Sequence, residues 1–176
     1  MAIDIYLVIS DERGVTLQGE SPSPVYNPYT KATVAKPTEI ASVDGMTEQT
    51  YSFTSGGTGT GGGKVVFDPF VIDKPVDNIS QTTFLAHASG VAWKFVDILF
   101  VGPGPDGGPA SKPFLSYRFG TVGISQIETT STDESPRERV SLVFGTFQIG
   151  YQLYKADGSL SAFAPVGWDR IRNIKI

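Results

Sequence analysis

A mainly β fold with a single helix follows from three features of the sequence. Glycine and proline are plentiful, 20 and 12 among 176 residues, and Phe, Tyr, Val, Ile and Thr dominate between them. That mixture describes strands joined by turns. Apolar residues also recur at the strand period of two in one segment after another. Only one stretch carries the end signals of a helix.

The length suits one domain, residues 1–176, with a substantial core. There is no cysteine, which excludes disulfides and thiolate metal sites. The net charge of -4 is too small to imply a polyanionic or polycationic partner. No apolar run approaches the roughly 20 residues of a membrane helix. The Met1-Ala2-Ile3-Asp4 start lacks the basic segment of a cleaved signal peptide.

The first strand is predicted from Ala2 to Ile9, with Ile3, Ile5, Leu7 and Ile9 on one face and Asp4 and Tyr6 on the other. Asp11 to Gly14 is a turn, and Val15 to Gly19 a second short extended piece. From Ser21 to Pro37 four prolines and two tyrosines show no sustained period. Proline removes ladder donors and restricts the residue before it, so this segment reads as a long loop. Tyr26 and Tyr29 make it a candidate for docking on a neighbouring subunit.

Thr38 to Val43 and Glu48 to Phe53 read as strands around a Val43-Asp44-Gly45-Met46 corner. A glycine-rich tract from Ser55 to Lys64 follows, then a strand from Val65 to Ile72 whose Pro69 marks an edge or bulge. The helix is expected from Asn78 to Ala88, capped by Asp77 or Asn78 and ended by Gly90. Its apolar stripe is Ile79, Leu85, Ala86 and Ala88.

Strands return at Val91 to Val101 and at Phe114 to Thr121, with loops at 103–109 and at Thr129 to Glu138. In Arg139 to Tyr154 the apolar residues change parity: Val140, Leu142 and Phe144 are even, Phe147, Ile149, Tyr151 and Leu153 odd. A strand that does this must bulge or pass between sheets, and Gly145 sits at the change. A last strand, Val166 to Ile171, carries Trp168. Nine or ten strands and one helix suggest a barrel or a tightly packed sandwich.

The tests for chemistry are negative. Gly57, Gly59 and Gly62 form a G-x-G-x-x-G, but it leads into Lys64-Val65-Val66, a strand, where a dinucleotide site needs a helix N-terminus. A phosphate loop fails as well, since Thr58 replaces its first glycine and Val65 its hydroxyl. A hairpin tip explains the tract better. His87, the single histidine, has no second soft ligand and reads as a helix-end residue. No serine lies in a G-x-S-x-G elbow, and a dispersed carboxylate pair has no support. No cofactor or metal is expected. Arg170, Arg172 and Lys175 make the C-terminal end basic, as solvated surface or as partners in an ion pair between subunits.

The order of segments resembles one family. Ile3-Asp4-Ile5-Tyr6-Leu7, Gly19-Glu20-Ser21, the glycine tract ending in Gly63-Lys64-Val65, Asp73-Lys74 before the helix and Ser89-Gly90 after it all resemble the hemolysin-coregulated protein (Hcp) family of the type VI secretion system. Val140 to Phe144 followed by Tyr151, then Gly167-Trp168-Asp169-Arg170 and Asn173, are similar to its closing signature.

The resemblance implies a β-barrel of two packed antiparallel sheets with one flanking helix, similar to phage tail-tube proteins. It implies a homo-hexameric ring, rings stacked into an expelled tube, and small effector proteins carried in the lumen. Spike and sheath proteins are the implied partners, with no nucleic acid and no membrane insertion. The implied location is the bacterial cytoplasm before firing and the exterior or a target cell after it. It implies a structural role and no catalysis, and with the chain stopping soon after Asn173 no C-terminal toxin domain is expected. The Ser21 to Pro37 segment is longer than the family pattern. Candidate ring-stacking or subunit contacts are Tyr26, Tyr29, Gly57, Gly59, Gly62, Lys64, Arg170 and Arg172. The alternative is a carbohydrate- or protein-binding β-sandwich that uses Trp93 or Trp168 as a stacking platform, although core is the commoner place for a strand tryptophan.

Overall fold

The computed structural model describes residues 3–49, 51–52, 61–62, 64–102, 111–131 and 135–176. Its strands are β1 (Asp4–Ser10), β2 (Val25–Asn27), β3 (Ala32–Val34), β4 (Thr38–Ile40), β5 (Ser42–Asp44), β6 (Thr47–Glu48), β7 (Tyr51–Ser52), β8 (Gly61–Gly62), β9 (Val66–Phe67) and β10 (Phe70–Pro75). Helix α1 (Ser80–Ser89) comes next, then β11 (Trp93–Val101), β12 (Leu115–Ser131), β13 (Pro136–Tyr151), β14 (Val166–Asp169) and β15 (Ile174–Lys175).

The layers belong to one nine-stranded antiparallel sheet that wraps round on itself. β1 pairs with β11, β11 with β12, β12 with β13, β13 with β10, and β10 with β5. β4 pairs with the free side of β1. Only Ala41 separates β4 from β5, and its N–H donates to the Asp73 carbonyl of β10 at 2.8 Å. The path of strands therefore returns to β1. Inside lie Leu7, Ile9, Phe70, Ile72, Trp93, Val96, Ile98, Phe119, Val122, Val140, Leu142 and Phe144, joined by Ile79 just before α1 and by Ala86 within it. Trp93 is 3% exposed, which removes it as a ligand platform.

The parity change in β13 is real. Val140, Leu142 and Phe144 face the core, and so does Phe147 beyond Gly145. Opposite Gly145, Thr121 takes a left-handed φ of 52°. The ladder pairs Gly120 with Thr146 and Val122 with Phe144, skipping the residues between. Before the break β13 pairs with β10; after it, with β14. One strand thus serves the barrel and a C-terminal flap.

Several elements differ from the sequence expectation. β1 buries both faces: Leu7 and Ile9 enter the core, while Tyr6 and Val8 join a second cluster with Val25, Val34, Leu99 and Val101. The cover over that outer face is the Ser21 to Pro37 segment, which contains the hairpin β2–β3 instead of a continuous loop. Its prolines lie outside the ladder, in the approaches and the turn, where a missing N–H does no harm. Val15 to Gly19 is reduced to a bridge between Ser10 and Thr16. The expected loop from Thr129 to Glu138 is largely strand, since β12 runs to Ser131 and β13 starts at Pro136. The final strand stops at Asp169 as β14, and a further short strand, β15, follows Asn173, at φ 58°.

Gly61 and Gly62 of the glycine tract belong to a two-stranded arm. The β5–β10 pairing continues through β6–β9 and β7–β8, with Thr47 opposite Phe67 and Tyr51 opposite Gly62. Pro69 falls in the break between β9 and β10, as its missing donor requires. Residues 53–60, Gly57 and Gly59 among them, and the 103–109 loop lie outside the described residues.

Helix α1 starts two residues later than expected. Ile79 holds the cap position without a side-chain bond, while the Asp77 carboxylate accepts from the Ile79 N–H at 3.2 Å. Gly90 closes the helix at φ 68°, the left-handed conformation that glycine adopts most easily. Ile79 and Ala86 face inward as expected, but Leu85 is 64% exposed and Ala88 is exposed too.

Candidate assembly surfaces

Two buried polar clusters join the helix and the outer hairpin to the barrel. In the first, Lys74 of β10 stands directly across from Glu138 of β13. Its ammonium lies 2.7 Å from Glu138 Oε1 and 2.6 Å from Asp77 Oδ1, and donates also to Ser80 Oγ at 3.1 Å. Ser80 Oγ in turn donates to Glu138 at 2.8 Å. The Lys74 side chain is 1% exposed. Burial of a charge is tolerable only with partners of this quality, and the cluster pins the start of α1 to the barrel wall.

In the second, Asp97 of β11 stands across from Arg118 of β12. The guanidinium donates to both carboxylate oxygens, at 2.7 and 2.8 Å, the bidentate geometry for which arginine suits best. Asn27 of the outer hairpin donates to Asp97 at 2.6 Å. The Arg118 guanidinium lies between the rings of Tyr29 and Phe95, 4.5 Å from each centroid. Tyr29 also meets Phe163 edge-on at 5.0 Å, and its hydroxyl donates to the Ser116 carbonyl at 3.1 Å.

Burial, aided by the Asp97 charge, pushes the Tyr29 phenol well above its ordinary 10. A phenol that holds its proton more tightly in the folded state gives stability that is intact below about pH 10 and declines as pH rises beyond it. Tyr29→Phe is therefore expected to soften the alkaline loss of stability above about pH 10, read from thermal melts. Burial shifts Tyr6 and Tyr117 upward too, so part of the decline should persist. An unchanged alkaline profile would reject the assignment.

The sequence-selected residues fall in different environments. Tyr29 and Arg170 are engaged within their own chain. Arg170 donates to the carbonyls of Phe144 at 2.9 Å and Phe67 at 3.3 Å and lies over both rings, tying the base of the arm to β13. Tyr26 is half-buried, with the Lys112 ammonium 6.0 Å from its ring centroid. Lys64 is exposed. Arg172 is 76% exposed and reaches Asp169 only at 3.8 Å. Gly62 contributes backbone to β8. His87 Nδ1 lies 2.9 Å from the Ile124 carbonyl, so it serves the packing of α1 on β12. Among the described residues no cluster of metal-ligating side chains occurs, and no helix is long and apolar enough to cross a membrane.

Sequence reasoning missed two apolar surfaces. One is the outer side of α1, where Phe84 and Leu85 are both exposed. The other is an open cavity of about 380 Å³ lined by Phe70, Phe100, Leu115, Tyr117, Phe147 and Ile149, with Gly45 and Thr47 at its edge. Gly45 runs against the Phe70 ring with no room for a Cβ. The cavity has no sequence signal, because its aromatic residues belong to alternating strands that read as ordinary core, and on α1 the apolar stripe read from the sequence turned Leu85 inward and left Phe84 out.

A closed barrel with its polar clusters engaged in holding its own parts, and with apolar faces left outward, is an assembly subunit. The comparisons agree. A family model described as "Type VI secretion system effector, Hcp" matches residues 28–151. The chain is similar in structure to a type six secretion system protein, at 21% identity and a TM-score of 0.77 over 99% of this chain and 100% of that one. It is similar to Hcp1 from Salmonella typhimurium, at 22% identity and a TM-score of 0.68 over 100% of both chains. A chain of the anti-feeding prophage baseplate shares the fold at 7% identity and a TM-score of 0.53, over 85% of this chain and 93% of that one. No curated protein matches. The chain belongs to the Hcp family, the structural tube proteins of the type VI secretion system.

Proposed function

We propose that the chain closes into hexameric rings that stack into the inner tube of the contractile apparatus, with small effector proteins held in the lumen. The observation that carries this reading is the family match, which runs from the turn of the outer hairpin to the end of β13 and so takes in nearly all of the barrel. A ring needs a heterologous interface whose rotation closes. Strand edges left open at β15 and along the arm suit such contacts.

Within this reading the spike and sheath are the partners at the tube's end and outer wall. The chain waits in the cytoplasm and leaves only with the tube. Lys64, Arg172, Tyr26 and the Gly57 to Gly62 tip are candidates for contact between copies, whereas Tyr29 and Arg170 support the surfaces from within. Light scattering after size exclusion, with negative-stain microscopy of concentrated protein, is expected to show closed rings and short stacks. A strict monomer at every concentration would overturn the proposal.

A further inference from the structure

The two ends of the barrel are unlike. Lys74 of β10 meets the helix start while Phe70 of the same strand lines the open cavity, and Ile124 of β12 meets His87 while Tyr117 lines the cavity. At about 3.3 Å per residue these positions lie roughly 13 and 23 Å apart along their strands. Helix α1 therefore lies at one end of the barrel and the aromatic mouth at the other.

In a chain with 18% charged residues, α1 has no Asp, Glu, Lys or Arg, and neither has the lining of the mouth. The helix presents Phe84 at 60% and Leu85 at 64% exposure. One end is thus an apolar knob and the other an apolar socket. We propose that they are partners: the Phe84–Leu85 face of one copy seats in the aromatic mouth of the next copy along the barrel axis. This rests on the stacked-ring reading above and names the contact between rings.

The sizes fit that occupant. A cavity near the lower end of the small-ligand range takes two side chains but not a whole helix. The two exposed side chains amount to on the order of 250 Å², against the ~1,000 Å² of a lasting pairwise interface. The contact is too small to hold two free monomers. Repeated by every subunit of a ring, it acts at high effective concentration. Because knob and socket lie on opposite ends, the contact is heterologous and does not close, which gives a filament.

The absence of cysteine makes the test direct. Rings of Phe84→Cys and rings of Thr47→Cys, prepared separately, are mixed under oxidising conditions that favour stacking. A disulfide-linked pair joining the two variants is expected, with at least tenfold less when the rings are too dilute to stack. Phe84→Asp, a change at an exposed position, is expected to leave rings and melting temperature intact and to abolish stacks in micrographs. Stacked rings that give no cross-link, or Phe84→Asp stacks of normal length, would overturn the proposal while leaving the ring reading standing. So would a mouth that admits an apolar dye as readily in stacked tubes as in isolated rings. Unsubstituted protein that forms no ring at all would sink both.

Discussion

Replacing Lys74 with alanine is expected to destabilise the fold by about 3–5 kcal/mol, enough to unfold much of a domain whose whole stability is of order 5–15 kcal/mol. The size follows from what is left behind. Asp77 and Glu138, with side chains 7% and 6% exposed, would lose the one ammonium that lies between them. Each carboxylate would then stay buried without its counter-charge or draw the helix start into water. Lys74→Met keeps the bulk but not the charge and is expected to be nearly as damaging. Chemical denaturation followed by circular dichroism gives the number; a loss below about 1 kcal/mol would place the cluster among the weak surface pairs instead.

Asp97→Ala is the second large effect, again about 3–5 kcal/mol, but with a different failure. Arg118 would lose both of its bidentate bonds and Asn27 its 2.6 Å acceptor. Asn27 belongs to the hairpin β2–β3, which lies over Tyr6, Val8, Leu99 and Val101. The hairpin is expected to come away before the barrel melts. Limited proteolysis should then cut between residues 21 and 37 at temperatures where the remaining chain is still folded. Cleavage appearing only with global unfolding would show that the apolar contacts of Val25 and Val34 hold the hairpin unaided.

What could be read in the sequence was local. The parity change at Gly145 is visible because alternation is a property of neighbouring residues, and the break at Pro69 because proline lacks a donor. The family pattern supplied the barrel, through motifs whose order survives although identity to the solved relatives is near one fifth. The β2–β3 hairpin was hidden because three-residue strands carry almost no period. Its stability comes from the outer face of β1 and β11, far away in sequence. Leu85 was misplaced because the turn of α1 facing inward is chosen by where β12 lies, not by hydropathy alone. The ion clusters had a faint trace: Asp97 interrupts the apolar run from Phe95 to Val101, and a charge in such a place needs a partner. Which partner depends on register, Asp97 against Arg118 and Lys74 against Glu138, and register is not a local property.

The closed path of strands also sets how the molecule comes into being. Asp4 must find Val101 before β1 has its long neighbour, and β4 must return to Ile5 through Leu7 before the ring of strands is complete. Such distant pairings place folding in the millisecond-to-second class, well behind helical bundles of similar length. Until the ends meet, β1 and β11 are open templates for the wrong chain. Tube growth then depends on subunits in which the two ends of the strand path have already met.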